Sequence, residues 1–149
     1  MDQLNIQGLT LTSLKKIIHP EGDILHGIKK SDQGFLGFGE AYFSKIKFGK
    51  IKGWNRHSKM TLNFIVPYGE VLFVIYDDRE NSKTRGSFYE IILSPDNYQR
   101  LTISPLLYVA FKGMKPGLNL ILNIADMEHD PKEIEKIDIT RFNYDWNNK

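Results

Sequence analysis

Met60-Thr61-Leu62-Asn63-Phe64-Ile65-Val66-Pro67-Tyr68-Gly69-Glu70-Val71-Leu72-Phe73-Val74-Ile75-Tyr76 is the stretch on which the fold turns. Its branched and aromatic side chains suit pleated strands, and Tyr68-Gly69-Glu70 interrupts the run with turn chemistry. The reading is a β-hairpin, Met60–Pro67 paired with Val71–Tyr76. Upstream, Gly34-Phe35-Leu36-Gly37-Phe38-Gly39 leads into Glu40–Lys47, where Ala41, Phe43 and Lys45 alternate with Tyr42, Ser44 and Ile46. Lys50–Trp54 reads as a short polar strand. Downstream come Phe88–Leu93, the turn Ser94-Pro95-Asp96-Asn97, Leu101–Ile103, Leu107–Phe111 and Leu118–Ile124. Short strands at this spacing, with little helical periodicity, predict an all-β sandwich or jelly roll. A short C-terminal helical segment is expected from Asp130-Pro131-Lys132-Glu133-Ile134, which offers a capping Asp, Pro at the first helical position and Glu behind it. No repeat or linker divides the chain, so residues 1–149 are expected to form one domain.

A chain of 149 residues is long enough to bury a core without staples. A net charge of +2, from 20 basic and 18 acidic residues, argues against nucleic acid as the main partner. With no cysteine there is no disulfide, thiolate nucleophile or zinc–thiolate site. No apolar run approaches the ~18–20 residues of a membrane helix, and Met1–Thr12 lacks the basic start and apolar block of a signal peptide. The expectation is a cytoplasmic protein with no membrane partner. Gly34, Gly37 and Gly39 are not followed by the lysine and helix of a phosphate loop, and no G-x-S-x-G elbow is present. Glu128-His129-Asp130 are adjacent and cannot all face one ion from a strand, so no metal and no cofactor are expected.

From Val71 to Phe111 the sequence resembles the dTDP-4-dehydrorhamnose 3,5-epimerase family. Asp77-Asp78-Arg79-Glu80-Asn81-Ser82-Lys83-Thr84-Arg85-Gly86 matches its D-x-R-x-x-S-x-T-x-G stretch at all the fixed positions. Leu93-Ser94-Pro95-Asp96-Asn97 is similar to L-S-x-E-N, Ile103–Phe111 keeps the spacing of I-P-x-G-x-x-H-G-F, and Tyr144-Asp145-Trp146 resembles the terminal I-x-W. Lys52, Trp54, His57, Met60, Thr61 and Asn63 resemble a branch with the pattern K-x-W-x-x-H-x-x-M-T-x-N. The resemblance implies a cupin-type jelly roll, a homodimer joined through its N-terminal region, and a nucleotide-sugar ligand. It also implies a cofactor-independent epimerase or ketoisomerase of surface-polysaccharide biosynthesis. The alternative is a non-catalytic sugar-nucleotide-binding cupin that has lost its acid–base pair. In the family's catalytic positions this chain differs. Asn55 stands at the position of the catalytic histidine, Val109 at a second histidine, and Leu122-Asn123 where the tyrosine acid falls.

Epimerisation beside a carbonyl needs a base, an oxyanion stabiliser and an acid on the opposite face. His57 is the candidate base, since imidazole titrates near neutrality, and Asp138 is the carboxylate that the resemblance offers to orient it. Lys52 and Arg56 are candidates for a diphosphate or a keto oxygen, and Arg79 for a diphosphate clamp, because a guanidinium fork matches phosphate oxygens. Arg79 has a second reading, in which Asp77, Arg79 and Ser82 order a turn. Trp54, Tyr76 and Tyr108 are read either as platforms for a base or pyranose ring or as core. Thr61 and Asn63 alternate with Leu62 and Phe64, so Asn63 is expected on a polar face lining the cavity. Lys52, His57 and Arg79 are expected to converge on one cavity between two sheets. Without the family's acid and base positions, double epimerisation is not expected; a single-centre epimerisation or a keto shift needs fewer groups and stays open.

Overall fold

The computed structural model describes Asp2–Lys149. Its strands in chain order are β1 (Asp2–Gln3), β2 (Leu9–Ser13), β3 (Lys16–Ile17), β4 (Ile24–Leu25), β5 (Glu40–Lys45), β6 (Ile51–His57) and β7 (Leu62–Tyr68). They continue as β8 (Val71–Tyr76), β9 (Phe88–Leu93), β10 (Gln99–Ile103), β11 (Tyr108–Gly113), β12 (Leu120–Ala125) and β13 (Ile134–Lys136). The first sheet runs β1-β2-β10-β7-β12-β5, the second β13-β6-β11-β8-β9, and β3-β4 form a small separate ribbon. All of the named strand pairs are antiparallel. This is the cupin-type jelly roll that the strand spacing and the family resemblance imply.

The expected hairpin is replaced by a corner between sheets. β7 lies between β10 and β12 in the first sheet, while β8 lies between β11 and β9 in the second. The reason is visible in the sequence, since neither run alternates apolar with polar as a half-exposed hairpin does. Both are buried on two faces. Val71, Phe73 and Ile75 enter the core between the sheets, joined by Leu62, Phe64 and Val66 from β7. Leu72 and Val74 face the opposite way, into a second cluster. Gly69 makes the corner at φ +80°, where a Cβ would stand 2.4 Å from the Leu118 carbonyl oxygen. Asn119 closes it by accepting the Glu70 N–H at 2.9 Å.

The second cluster covers the outer face of the second sheet. Trp54, Tyr108 and Ala110 are buried there beneath Trp146, with Tyr76, Phe88, Ile139, Phe142 and Tyr144 packed around them. The helix expected from Asp130 does not form. Asp130 instead opens a turn, accepting the N–H groups of Lys132 at its side chain and Glu133 at its carbonyl, and the chain re-enters the second sheet as β13, beside β6. Tertiary pairing overrides the local helix signal because Glu133 is required inside. The C-terminal helical segment is the 3-10 turn Ile139–Arg141, capped by Asp138, whose carboxylate accepts the Thr140 N–H at 2.9 Å.

The D-x-R-x-x-S-x-T stretch is a knot around a buried carboxylate. Asp77 is fully buried and accepts from Arg79 Nε at 2.9 Å, Ser82 Oγ at 2.6 Å and Thr84 Oγ1 at 2.6 Å. Arg79 also donates to the Gln7 carbonyl at 2.7 Å, tying the loop to the N-terminal segment. Burial alone pushes the Asp77 carboxyl up, but the hydrogen bonds from Arg79, Ser82 and Thr84 outweigh it and hold the group well below the carboxylate range. A depressed carboxyl stabilises the fold above its unfolded value of about 3.9 and loses that contribution as pH falls toward the folded value. We expect Asp77→Asn to cost about 3 kcal/mol at pH 7. In urea melts, the gap to the unsubstituted protein should narrow steadily as pH falls below about 4.

Candidate active site

A cavity of about 410 Å³ opens between the sheets. On the first-sheet wall, β5 contributes Glu40, Tyr42 and Ser44, and Leu62, Phe64 and Ile121 line it further in. The opposite wall carries Lys52, Asn55 and His57 from β6, Val109 and Phe111 from β11, and Ile134 and Lys136 from β13. Its apolar lining from Leu62, Phe64, Val109, Phe111 and Ile121 is buried, while Lys52, His129 and Lys136 are exposed at its edge.

A bulge decides which side chains of β6 face inward. Val109 pairs with Asn55 and Phe111 with Lys52, so Gly53 and Trp54 together oppose Ala110. The extra residue brings Lys52 and Asn55 to the same face and sends Trp54 outward. Only glycine fits at Gly53, with φ +135° and a would-be Cβ 2.5 Å from that of Ala110. Lys52 Nζ then reaches across the open edge to the Lys45 carbonyl on β5, at 2.7 Å.

His57 and Glu133 form a buried pair, Nδ1 to Oε1 at 2.6 Å. The second carboxylate oxygen accepts the N–H groups of Lys59 at 3.0 Å and Met60 at 2.9 Å. Burial raises the Glu133 carboxyl, and these hydrogen bonds, led by that from His57, reverse the effect and leave it below its ordinary value. Glu133 is therefore a carboxylate at neutral pH. It fixes the proton on Nδ1, so the lone pair of neutral His57 sits on Nε2, which has no protein partner among the described residues. A histidine oriented in this way can accept a proton from a molecule in the cavity.

Of the candidate catalytic and substrate-binding residues, Lys52 and His57 meet at the cavity, while Trp54, Arg56, Asn63, Arg79, Tyr108 and Asp138 lie elsewhere. Asp138 does not orient His57; it is exposed and caps the 3-10 turn, and Glu133 occupies the place expected for it. Arg79 is spent on Asp77, away from the cavity, as its turn-ordering reading has it. Asn63 points away from the cavity, because Leu62 and Phe64 take the inner face; its Oδ1 accepts from Thr102 Oγ1 at 2.6 Å and Arg100 Nε at 3.1 Å. Trp54 is core, donating Nε1 to the Ile139 carbonyl and packing on Phe142 with ring centres 5.5 Å apart. Tyr76 and Tyr108 also lie on that outer face. Tyr108 donates to Glu135 at 2.6 Å, and Arg56 stacks over its ring and pairs with the same carboxylate. Burial, then the Glu135 carboxylate, push the Tyr108 hydroxyl up to about 12.

No protein-family model matches the chain. It is 33% identical over 112 residues, 72% of either chain, to the probable low-salt glycan biosynthesis epimerase Agl13 of Haloferax volcanii. It is 34% identical to the dTDP sugar isomerase of Desulfovibrio desulfuricans G20, superposing with a TM-score of 0.94 over 98% of this chain and 95% of that one. The chain belongs to the dTDP-4-dehydrorhamnose 3,5-epimerase family. A dTDP-4-dehydrorhamnose 3,5-epimerase from Elizabethkingia anophelis NUHP1, 16% identical, shares the fold at a TM-score of 0.83, over 98% of this chain and 85% of that one.

Within this epimerase fold, sequence reading missed Glu133, Tyr42 and Lys136. Glu133 is 76 positions from His57, and no local pattern joins them. Tyr42 was legible as one of the alternating residues of Glu40–Lys47, but nothing in that alternation says which side faces the cavity. Among the described residues, no group of three His, Asp or Glu side chains is placed to hold a metal ion. We expect Glu133→Gln to lower stability by about 2 kcal/mol. In nitrogen-15 NMR, His57 should change from a single Nδ1–H tautomer to a mixture.

Proposed function

We propose that the protein is a cofactor-independent epimerase or ketoisomerase of a nucleotide-linked 4-keto-6-deoxy sugar, serving surface-polysaccharide biosynthesis. The observation that carries this reading is the His57–Glu133 pair at the wall of the inter-sheet cavity. A hydrogen on a carbon next to a ketone is acidic enough for a positioned base, because its electron pair can move onto the keto oxygen. His57 Nε2 takes that proton, and Glu133 stabilises the imidazolium that results. Lys52, exposed at the edge beside Lys136, is the cation assigned to the diphosphate or to the enolate oxygen. The family kinship and the glycan-biosynthesis role in the name of the Haloferax volcanii relative support the substrate class.

Asn55, at the family's histidine position, lines the same face as His57 and cannot exchange a proton near pH 7. The reaction proposed is therefore at one centre, an epimerisation or keto shift. The proposed setting is the cytoplasm, where nucleoside triphosphates that activate sugars are available; among the described residues no helix is long and apolar enough to cross a membrane. The proposed assembly is a homodimer. Its support is the open edge of β5, where Phe43 is 64% exposed, with Leu36 and Phe38 exposed nearby in sequence.

The test is turnover of dTDP-4-keto-6-deoxyglucose followed by proton NMR. We expect a single epimer or keto isomer, a loss of about 10³-fold in kcat for His57→Asn, and a raised KM for Lys52→Met. Absence of any product across dTDP-, GDP- and UDP-linked keto sugars would remove the assignment. Light scattering should give twice the chain mass, and a monomeric mass at micromolar concentration would exclude the dimer.

A further inference from the structure

Inverting a carbon centre requires removing a proton from one face and delivering one to the other, so the two groups must stand on opposite sides of the substrate. The His57–Glu133 pair supplies one side, on the second sheet. The facing wall is β5 of the first sheet, and its titratable groups in the cavity are Glu40 and Tyr42. The Tyr42 hydroxyl is held by a dedicated partner, for its oxygen accepts from Asn123 Nδ2 at 3.0 Å. Asn123 is itself hydrogen-bonded on both sides of its amide. It is fully buried, its Oδ1 accepts the Asn63 N–H at 3.1 Å, and it lies directly across the ladder from Tyr42. With the amide donating to the phenolic oxygen, the hydroxyl hydrogen has no protein acceptor among the described residues and is available to the cavity.

We propose that Tyr42 is the catalytic proton donor opposite His57, a role that rests on the epimerase reading above. His57 Nε2 takes the hydrogen from the carbon beside the ketone as a proton. The C–H electron pair becomes the carbon–carbon double bond of an enolate, with the charge on the former keto oxygen. That double bond then takes the Tyr42 hydroxyl proton on the opposite face, forming the new C–H bond and restoring the ketone. The phenolate left behind accepts the Asn123 N–H, a hydrogen bond that strengthens with the charge. His57 releases its proton to water and Tyr42 recovers one from water, so no net proton, oxidant or reductant is consumed.

The experiment is carried out in deuterated water with the full chain and dTDP-4-keto-6-deoxyglucose. NMR follows deuterium entry at the ring carbon separately from formation of the epimer. The unsubstituted protein should show both, and His57→Asn neither. Tyr42→Phe should still exchange deuterium, because His57 can return a solvent deuteron to the face it came from, while forming epimer at least about 100-fold more slowly. Cooperative melting and retained dTDP binding show that this variant is folded. A structural role for Tyr42 would depress exchange and epimer formation together, and that outcome overturns the proposal. Epimer formation at the unsubstituted rate in Tyr42→Phe, or its selective loss in Glu40→Gln instead, also overturns it. If the unsubstituted protein neither exchanges nor epimerises, the epimerase reading fails and the role of Tyr42 fails with it.

Discussion

The buried carboxylate of Glu133 is the constraint around which the site is organised. Between His57 at the end of β6 and Leu62 at the start of β7 the chain leaves one sheet and joins the other. Such a crossing strips N–H groups of their ladder partners, and a buried donor without an acceptor costs about 1–3 kcal/mol. Glu133 answers the N–H groups of Lys59 and Met60 with one oxygen and His57 with the other, while its own carbonyl accepts from the Ser58 N–H at 2.9 Å. One side chain therefore closes the corner of the sandwich and sets the ring orientation of its histidine. Ring orientation and fold closure are the same set of bonds.

The fold was legible in the sequence because strands announce themselves locally. Phe88–Leu93 is β9 to the residue, and the other runs are recovered within a few positions. What was not legible is how strands are shared between sheets. The apolar run around Gly69 reads as a hairpin whenever only neighbours are considered, and only burial on both faces shows that β7 and β8 belong to different layers. The site fared less well for a related reason. Side-chain alternation gives two faces but does not say which is inward, and a single bulge at Gly53 separates Lys52 from Trp54, which plain alternation would put on one face. Conspicuous residues such as Arg79, Trp54 and Asp138 turned out to hold loops and covers in place.

Asn123 and Tyr42 show how side chains of neighbouring strands share one face of a pocket. The family resemblance places a tyrosine at or beside Leu122-Asn123, and here Asn123 holds the hydroxyl of Tyr42 from the adjacent strand. Two residues in register on neighbouring strands project to the same side of a sheet, so a hydroxyl can be presented from either. A comparison restricted to aligned columns records a lost residue there, whereas the cavity still contains a phenol.

The aromatic cover over the second sheet bears on how the chain is made. Trp54, Tyr108 and Ala110 are sheltered by Ile139, Phe142, Tyr144 and Trp146, all of which follow every strand of that sheet in the chain. β13, which brings Glu133 to His57, lies only a little earlier. Synthesis delivers residues in order, at about 5–20 per second, and the ribosomal tunnel withholds the most recent ones. The outer face therefore stays uncovered until residues 139–146 have been made, and the ring of His57 is not aligned until Glu133 has been. A nascent chain that has delivered β6, β8, β9 and β11 thus exposes one apolar face of that sheet for as long as the segment that dries it is still being made.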